Sequence, residues 1–321
     1  MQTVSTYGPI QEGLERVKAR LLAVGDVASR HQAAILDHAL ETTGKRVRPA
    51  ITLLASNFHP HDARVIKTMA SAVELLHIAT LIHDDTVDNS DIRRGKATVG
   101  SIWGRNAAVL IGDYLFAKSA TLVSDTGNVR VIRRFAETIM ELSSGELHEM
   151  ADAYDLGQSR QQYLERIYNK TASLFTTASE SGAILSGAPE SSVEALRKYG
   201  YNIGMAFQIV DDILDFEGTS EEVGKPVGSD LAHGILTLPA IIAIERHPDN
   251  NPILESLKNP GDRDRLAQAV ELIQTSSAIE ESRATATEYG NKARSTLAGL
   301  DRNSSRDSLE ELVLHAAIRR S

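Results

Sequence analysis

Residues 75–88 read Leu75-Leu76-His77-Ile78-Ala79-Thr80-Leu81-Ile82-His83-Asp84-Asp85-Thr86-Val87-Asp88, an apolar stretch of helical character that ends in three aspartates. On a helix, residues four apart lie nearly above one another, so Asp84 and Asp88 point the same way. The pattern returns in Ile203-Gly204-Met205-Ala206-Phe207-Gln208-Ile209-Val210-Asp211-Asp212-Ile213-Leu214-Asp215, where Asp211 and Asp215 form the matching pair. Carboxylates crowded at the end of an apolar run repel one another and lose hydration, and a proton or a bound cation relieves both. A single cluster is accounted for by a solvated helix end; two of identical pattern point to divalent metal. An oxygen-only donor set without His or Cys suits Mg²⁺ or Mn²⁺ rather than zinc. Because Mg²⁺ binds through one or two carboxylates plus substrate phosphates, a phosphorylated substrate is expected.

The composition agrees with a helical setting. Apolar residues make up 42% of the 321 positions, enough for a substantial core, while aromatics are only 5% and Pro numbers 9. Ala, Leu, Glu and Arg dominate, which favours helix over sheet. The absence of cysteine excludes a disulfide framework and a thiolate metal site. The stretch Met1 to Pro9 lacks a basic segment followed by an apolar one, and no uninterrupted apolar run reaches the roughly 18 residues of a membrane span. A soluble, untargeted, cytoplasmic protein is expected. A formal charge of −9 argues against non-specific nucleic-acid binding, although local basic clusters can still grip phosphate.

Apolar residues recur at helical spacing almost throughout, as in Leu14, Val17, Leu21, Leu22 and Val27, then Ile35, Leu36 and Leu40. The spacing predicts about ten or more helices and no convincing strand. Residues 236–244 have strand propensity, but hairpin turn signals beside them are absent. Breaks at Thr43-Gly44, His59-Pro60-His61, Asp125-Thr126-Gly127, Asp155-Leu156-Gly157, Gly187-Ala188-Pro189, 218–228, 247–252 and Asn259-Pro260-Gly261 are too short for linkers. One all-helical domain over residues 1–321 is therefore expected, packed so that the two aspartate clusters share a metal site.

Basic residues gather near the acidic ones. Gly44-Lys45-Arg46-Val47-Arg48-Pro49 places three cations in a turn leading into a helix, and Arg93-Arg94-Gly95-Lys96 follows the first cluster closely. Arg grips phosphate oxygens bidentately and Lys acts as a point charge. Lys170-Thr171 and Lys225-Pro226 add one cation each. This is the composition needed to hold two polyanions.

In order, GKRVRP (44–49), LIHDDTVDNSDIRRGKAT (81–98), GDYLFA (112–117), GEL (145–147), KTA (170–172) and GMAFQIVDDILDFEG with GKPVGSDL and TLP (204–239) resemble the trans-isoprenyl diphosphate synthases. Within them the chain is similar to the longer-chain polyprenyl diphosphate synthases, over nearly its whole length. The resemblance implies an all-α fold of mostly antiparallel helices around a deep central cavity, usually a homodimer. It puts Asp84, Asp88 and Asp211 on Mg²⁺, with Asp85, Asp212 and Asp215 completing the acidic rims directly or through water, Asp215 as a further ligand. Lys45, Arg48, His77 and Arg94 would bind isopentenyl diphosphate, and Arg93, Lys170, Thr171, Gln208 and Lys225 the allylic diphosphate. His77 lies seven residues before Asp84 and so on nearly the same helical face.

The implied reaction ionises an allylic diphosphate, joins it to the double bond of isopentenyl diphosphate and loses a proton, adding five carbons per cycle. Roughly three Mg²⁺ per site, together with Arg93, Lys170 and Lys225, would balance six ionised Asp and one diphosphate. No side chain forms an evident base, so the released diphosphate is expected to take the proton, while Gln208, Thr171 and backbone carbonyls face the cation. Two positions depart from the family pattern: Glu149 stands where Gln is common, and Ile235 where Lys usually follows Gly. In the family, bulky aromatics at the fifth or fourth place before the first cluster stop chain growth; here those places are Ala79 and Thr80. The passage is expected to be open, with Phe135, on the segment 131–142, as its floor, and the product to be an all-trans C30 to C45 chain. The alternatives are a shorter-chain farnesyl or geranylgeranyl diphosphate synthase, a class I terpene cyclase and a non-catalytic subunit. A cyclase typically mixes Asn, Ser or Thr and Glu in its second motif, and subunits tend to lose the aspartates.

Overall fold

The computed structural model describes residues 6–27, 29–41, 44–217 and 227–318. Among the described residues the fold is all-α apart from one two-stranded ribbon. The chain forms two compact units, the first comprising Met1–Glu137, Thr177–Arg197 and Gly299–Leu309, the second Thr138–Thr176, Lys198–Ala298 and Glu310–Ser321.

The first unit contains α1 (Gln11–Leu22), α2 (Arg30–Glu41), α3 (Val47–Ser56), α4 (Ala63–Val87), α5 (Val99–Trp103) and α6 (Arg105–Ser124). The predicted metal-binding stretch closes α4, the centre of this unit, which packs against α1, α3 and α6. Asp62 starts α4 by accepting a hydrogen bond from the Arg64 amide at 2.8 Å, satisfying one of the unpaired donors of the first turn. No Gly or Pro interrupts its 25 residues. Its middle is buried on every side, with Met69, Ala70, Val73, Leu75, Leu76 and Ala79 all fully inaccessible, as expected of a helix that is apolar all round. By length and composition α4 and α6 could each cross a membrane, but 72% of the apolar window of α4 is buried within the protein.

The expectation of no strand is corrected by β1 (Ile92–Arg93) and β2 (Lys96–Ala97), an antiparallel pair with Ile92 opposite Ala97 and Arg93 opposite Lys96. Arg94 and Gly95 at the turn have φ of 51° and 74°, the left-handed pair that a two-residue hairpin requires. Strands this short carry no readable alternation.

In the second unit lie α8 (Arg160–Ile167), a π-helical turn over Tyr168–Ala172, α11 (Ser229–Ala232), α12 (Leu238–Arg246), α13 (Pro252–Lys258), α14 (Arg263–Thr275) and α15 (Ala278–Thr296). The remaining helices are α7 (Val129–Asp152), α9 (Ser173–Leu185), α10 (Glu190–Glu217) and α16 (Ser304–Ile318). Tyr163, Met205, Ile209, Ile213, Phe216, Leu238, Ile241 and Ile242 centre the core of the second unit. Residues 236–244, strand-like in propensity, are extended only to Thr237 and then helical, because Pro239 falls at the start of α12, where its missing N–H costs nothing.

Candidate active site

The acidic end of α4 is met by a basic layer. Asp84 and Asp85 occupy its last turn, and Asp88 caps it, its amide bonded to the Asp84 carbonyl at 2.8 Å. The hairpin folds Arg93 back so that its Nε donates to Asp85 Oδ1 at 2.7 Å. Arg94 lies against Gly44, where a Cβ would clash with the guanidinium. Lys45 is exposed, and Arg46 takes a left-handed conformation (φ 49°) to start α3. In the first turn of α3, Arg48 Nη1 is 3.1 Å from His77 Nε2. A guanidinium can only donate, so Nε2 accepts and the imidazole proton sits on Nδ1. Burial, followed by the charges of Arg48, Arg94 and Arg93, holds the His77 pKa well below the ordinary value. His77 is therefore a neutral acceptor that orients Arg48. One turn earlier Glu74, 2% exposed, faces Arg48, Arg46 and Arg94. Its burial raises the pKa, while these three cations pull it down. Ala79 has no accessible surface. Thr80 is only part-buried, and its hydroxyl donates to the His77 carbonyl at 2.8 Å. Phe135 is buried in α7.

The second cluster closes α10, and its three carboxylates differ in setting. Asp211 is exposed. Asp212 is buried at the end of a relay: Thr171 Oγ1 donates to Gln208 Oε1 at 2.6 Å, and Gln208 Nε2 donates to Asp212 Oδ1 at 2.7 Å. Tyr163 Oη donates to its other oxygen at 2.7 Å. Burial, with the charges of Asp230 and Asp211 adding to it against these two hydrogen bonds, pushes the Asp212 carboxyl up to about 8. Asp215 accepts the amides of Ser229 and Asp230, each at 3.2 Å, and so anchors α11. The sequence pattern gave no sign of that anchoring role.

Lys170 and Thr171 lie on the π turn, a rare form that recurs at functional sites. Two glycines admit its backbone. A Cβ on Gly145 of α7 would come within 2.9 Å of the Lys170 amide nitrogen, and one on Gly204 of α10 within 2.6 Å of Ala172 Cα. The Lys170 ammonium is 2.6 Å from Glu149 Oε1 and 3.1 Å from Glu146 Oε1. Lys225 lies outside the described residues.

Among the described residues no three His, Cys, Asp or Glu side chains gather into a preformed metal cage. Mg²⁺ completes its shell with water and phosphate oxygens rather than an all-protein set. Asp88 and Asp211 are exposed and Asp84 is part-buried, which leaves their carboxylate oxygens open to a hydrated cation. The donor chemistry fits the implied ion.

Residues 30–276 match the family model described as polyprenyl synthetase. The chain belongs to the polyprenyl synthetase family. Its members among the relatives include the heptaprenyl diphosphate synthase component 2 of Geobacillus stearothermophilus, 39% identical over 95% of this chain and 93% of that protein. The crystal structure of heptaprenyl diphosphate synthase from Staphylococcus aureus superposes with a TM-score of 0.93 at 34% identity, covering 97% of this chain and 99% of that one. The polyprenyl synthase of Caulobacter crescentus CB15, solved with calcium and isoprenyl diphosphate, gives a TM-score of 0.92 at 35% identity over 98% of this chain and 97% of that one. The family makes the chain an enzyme of the trans-polyprenyl diphosphate synthase type.

Sequence reasoning did not assign roles to Glu74, Tyr163, Arg166 or Asp230. Glu74 had a signal, being three residues before His77 on one helical face. Tyr163 and Arg166 had none, since their partners are distant in sequence.

Proposed function

We propose that this synthase extends an allylic diphosphate with isopentenyl diphosphate to an all-trans polyprenyl diphosphate of C30 to C45, within a single family domain in the cytoplasm. The observation that carries the reading is the pairing of two intact aspartate clusters, at the ends of α4 and α10, with separate sets of cations. In each cycle the allylic C–O bond breaks, the isopentenyl double bond closes a new C–C bond, and the diphosphate released takes the proton lost from the isopentenyl unit. Asp84, Asp88, Asp211 and Asp215 would hold Mg²⁺, which supplies positive charge to the leaving diphosphate.

The protein's own groups do the positioning. Lys45, Arg48 and Arg94 bind the isopentenyl diphosphate, with neutral His77 fixing the Arg48 fork and Glu74 balancing the cations beneath it. Arg93, Lys170 and Lys225 face the allylic diphosphate. Thr171 and Gln208 present oxygen dipoles that stabilise an allylic cation without trapping it. Thr80 and Ala79 leave the helix below Asp84 without a bulky stop, and Phe135 serves as the floor.

A homodimer is the assembly we favour, since α6 presents Leu110 at 68% and Val109 at 43% exposure, a face suited to a second copy. The Geobacillus relative is named a component, so a heteromer is the competing assembly, and the mass of the purified protein in solution separates the two.

Purified protein supplied with Mg²⁺, labelled isopentenyl diphosphate and farnesyl diphosphate should release C30 to C45 polyprenyl diphosphates. A C20 product, a cyclised hydrocarbon or no turnover would overturn the reading in favour of a short-chain synthase, a cyclase or a non-catalytic subunit.

A further inference from the structure

Lys170 carries a cation that substrate must recruit, yet its ammonium is already held by Glu149 at 2.6 Å and Glu146 at 3.1 Å. Glu149 is fixed from behind. Its Oε2 is 3.8 Å from Nε of Arg166, a residue only 4% exposed that also donates to Gln158 Oε1 at 3.0 Å and to the Leu236 carbonyl at 2.6 Å. The backbone under Lys170 is fixed too, wedged between Gly145 and Gly204. The Lys170 side chain itself is 31% exposed. A carboxylate bonded to an ammonium is stronger than a neutral amide in the same place, because both partners are charged.

We propose that Glu149 is a positioning residue that competes with the allylic diphosphate for Lys170 and so sets the enzyme's affinity for that substrate. Binding then replaces the shorter of the two carboxylate contacts on the Lys170 ammonium, that of Glu149, by a diphosphate oxygen, and Glu149 keeps Arg166 as its partner when Lys170 leaves. The proposal rests on the reading that Lys170 binds the allylic diphosphate, and the test separates the two.

Glu149→Gln keeps the shape of the side chain and leaves both other bonds of Arg166 in place, while removing the competing charge. Calorimetric titration with farnesyl thiolodiphosphate and Mg²⁺ should show about tenfold tighter binding than wild type. The KM for the allylic substrate should fall in parallel, and the KM for isopentenyl diphosphate should not change. Lys170→Met should weaken the same titration, and Glu149→Gln added to Lys170→Met should have no further effect. Glu149→Asp, which keeps the charge, should stay closer to wild type than Glu149→Gln does. If Lys170→Met weakens binding but Glu149→Gln leaves it unchanged or weaker, Glu149 does not compete. Equal tightening with and without Lys170 would reduce the effect to long-range charge and also overturn the proposal. If Lys170→Met binds like wild type, the reading of Lys170 itself fails and the proposal falls with it.

Discussion

Burial moves the pKa values of Asp212 and His77 in opposite directions, up for the carboxyl and down for the imidazole, so that each is driven toward its neutral form. For His77 the consequence is measurable without substrate. Its pKa lies well below the ordinary 6.5, so below that pH the unfolded chain binds a proton that the folded chain refuses. Stability from this group is therefore complete above pH 6.5 and declines as pH falls, by up to about 1.4 kcal/mol per pH unit. Replacing His77 by Gln should flatten that part of the curve of melting temperature against pH between 5 and 7. Parallel curves for the two proteins would show that His77 titrates normally. At this scale the aspartates were legible, because one pattern occurs twice in a single chain. The relay from Thr171 through Gln208 to Asp212 was only half legible: Gln208 and Asp212 are four apart on α10, but Thr171 reaches them through the fold.

The elements show what local patterns hide. The π turn at Lys170 has no periodic signature, and its close packing against Gly145 and Gly204 is a contact that no local reading connects. The hairpin after α4 was equally hidden, although Arg94-Gly95 is a plausible turn pair once strands are allowed. On α4 itself the two candidate chain-length positions are no longer equivalent. Ala79 is fully buried, so a Phe there should overpack the core at a cost of about 1–3 kcal/mol. Thr80 retains accessible surface, and Thr80→Phe is the cleaner stop. It should shift the product to C15 or C20 with little change in melting temperature. An undiminished product length would remove α4 as the ruler.

At the scale of the whole molecule, an acidic chain concentrates its useful cations on a few segments, and the family and all-α class were readable because the motifs occur in order over most of the length. The division into two compact units was not readable, since its boundaries fall within helices rather than at Gly- or Pro-rich breaks. The account requires the aspartates of α4 and of α10 alike. Steady-state turnover of Asp84→Ala and of Asp211→Ala, each with its helical circular dichroism intact, tests that requirement most directly. Each single substitution should lower turnover by about three orders of magnitude or more; a variant of either cluster that turns over like wild type would contradict the account.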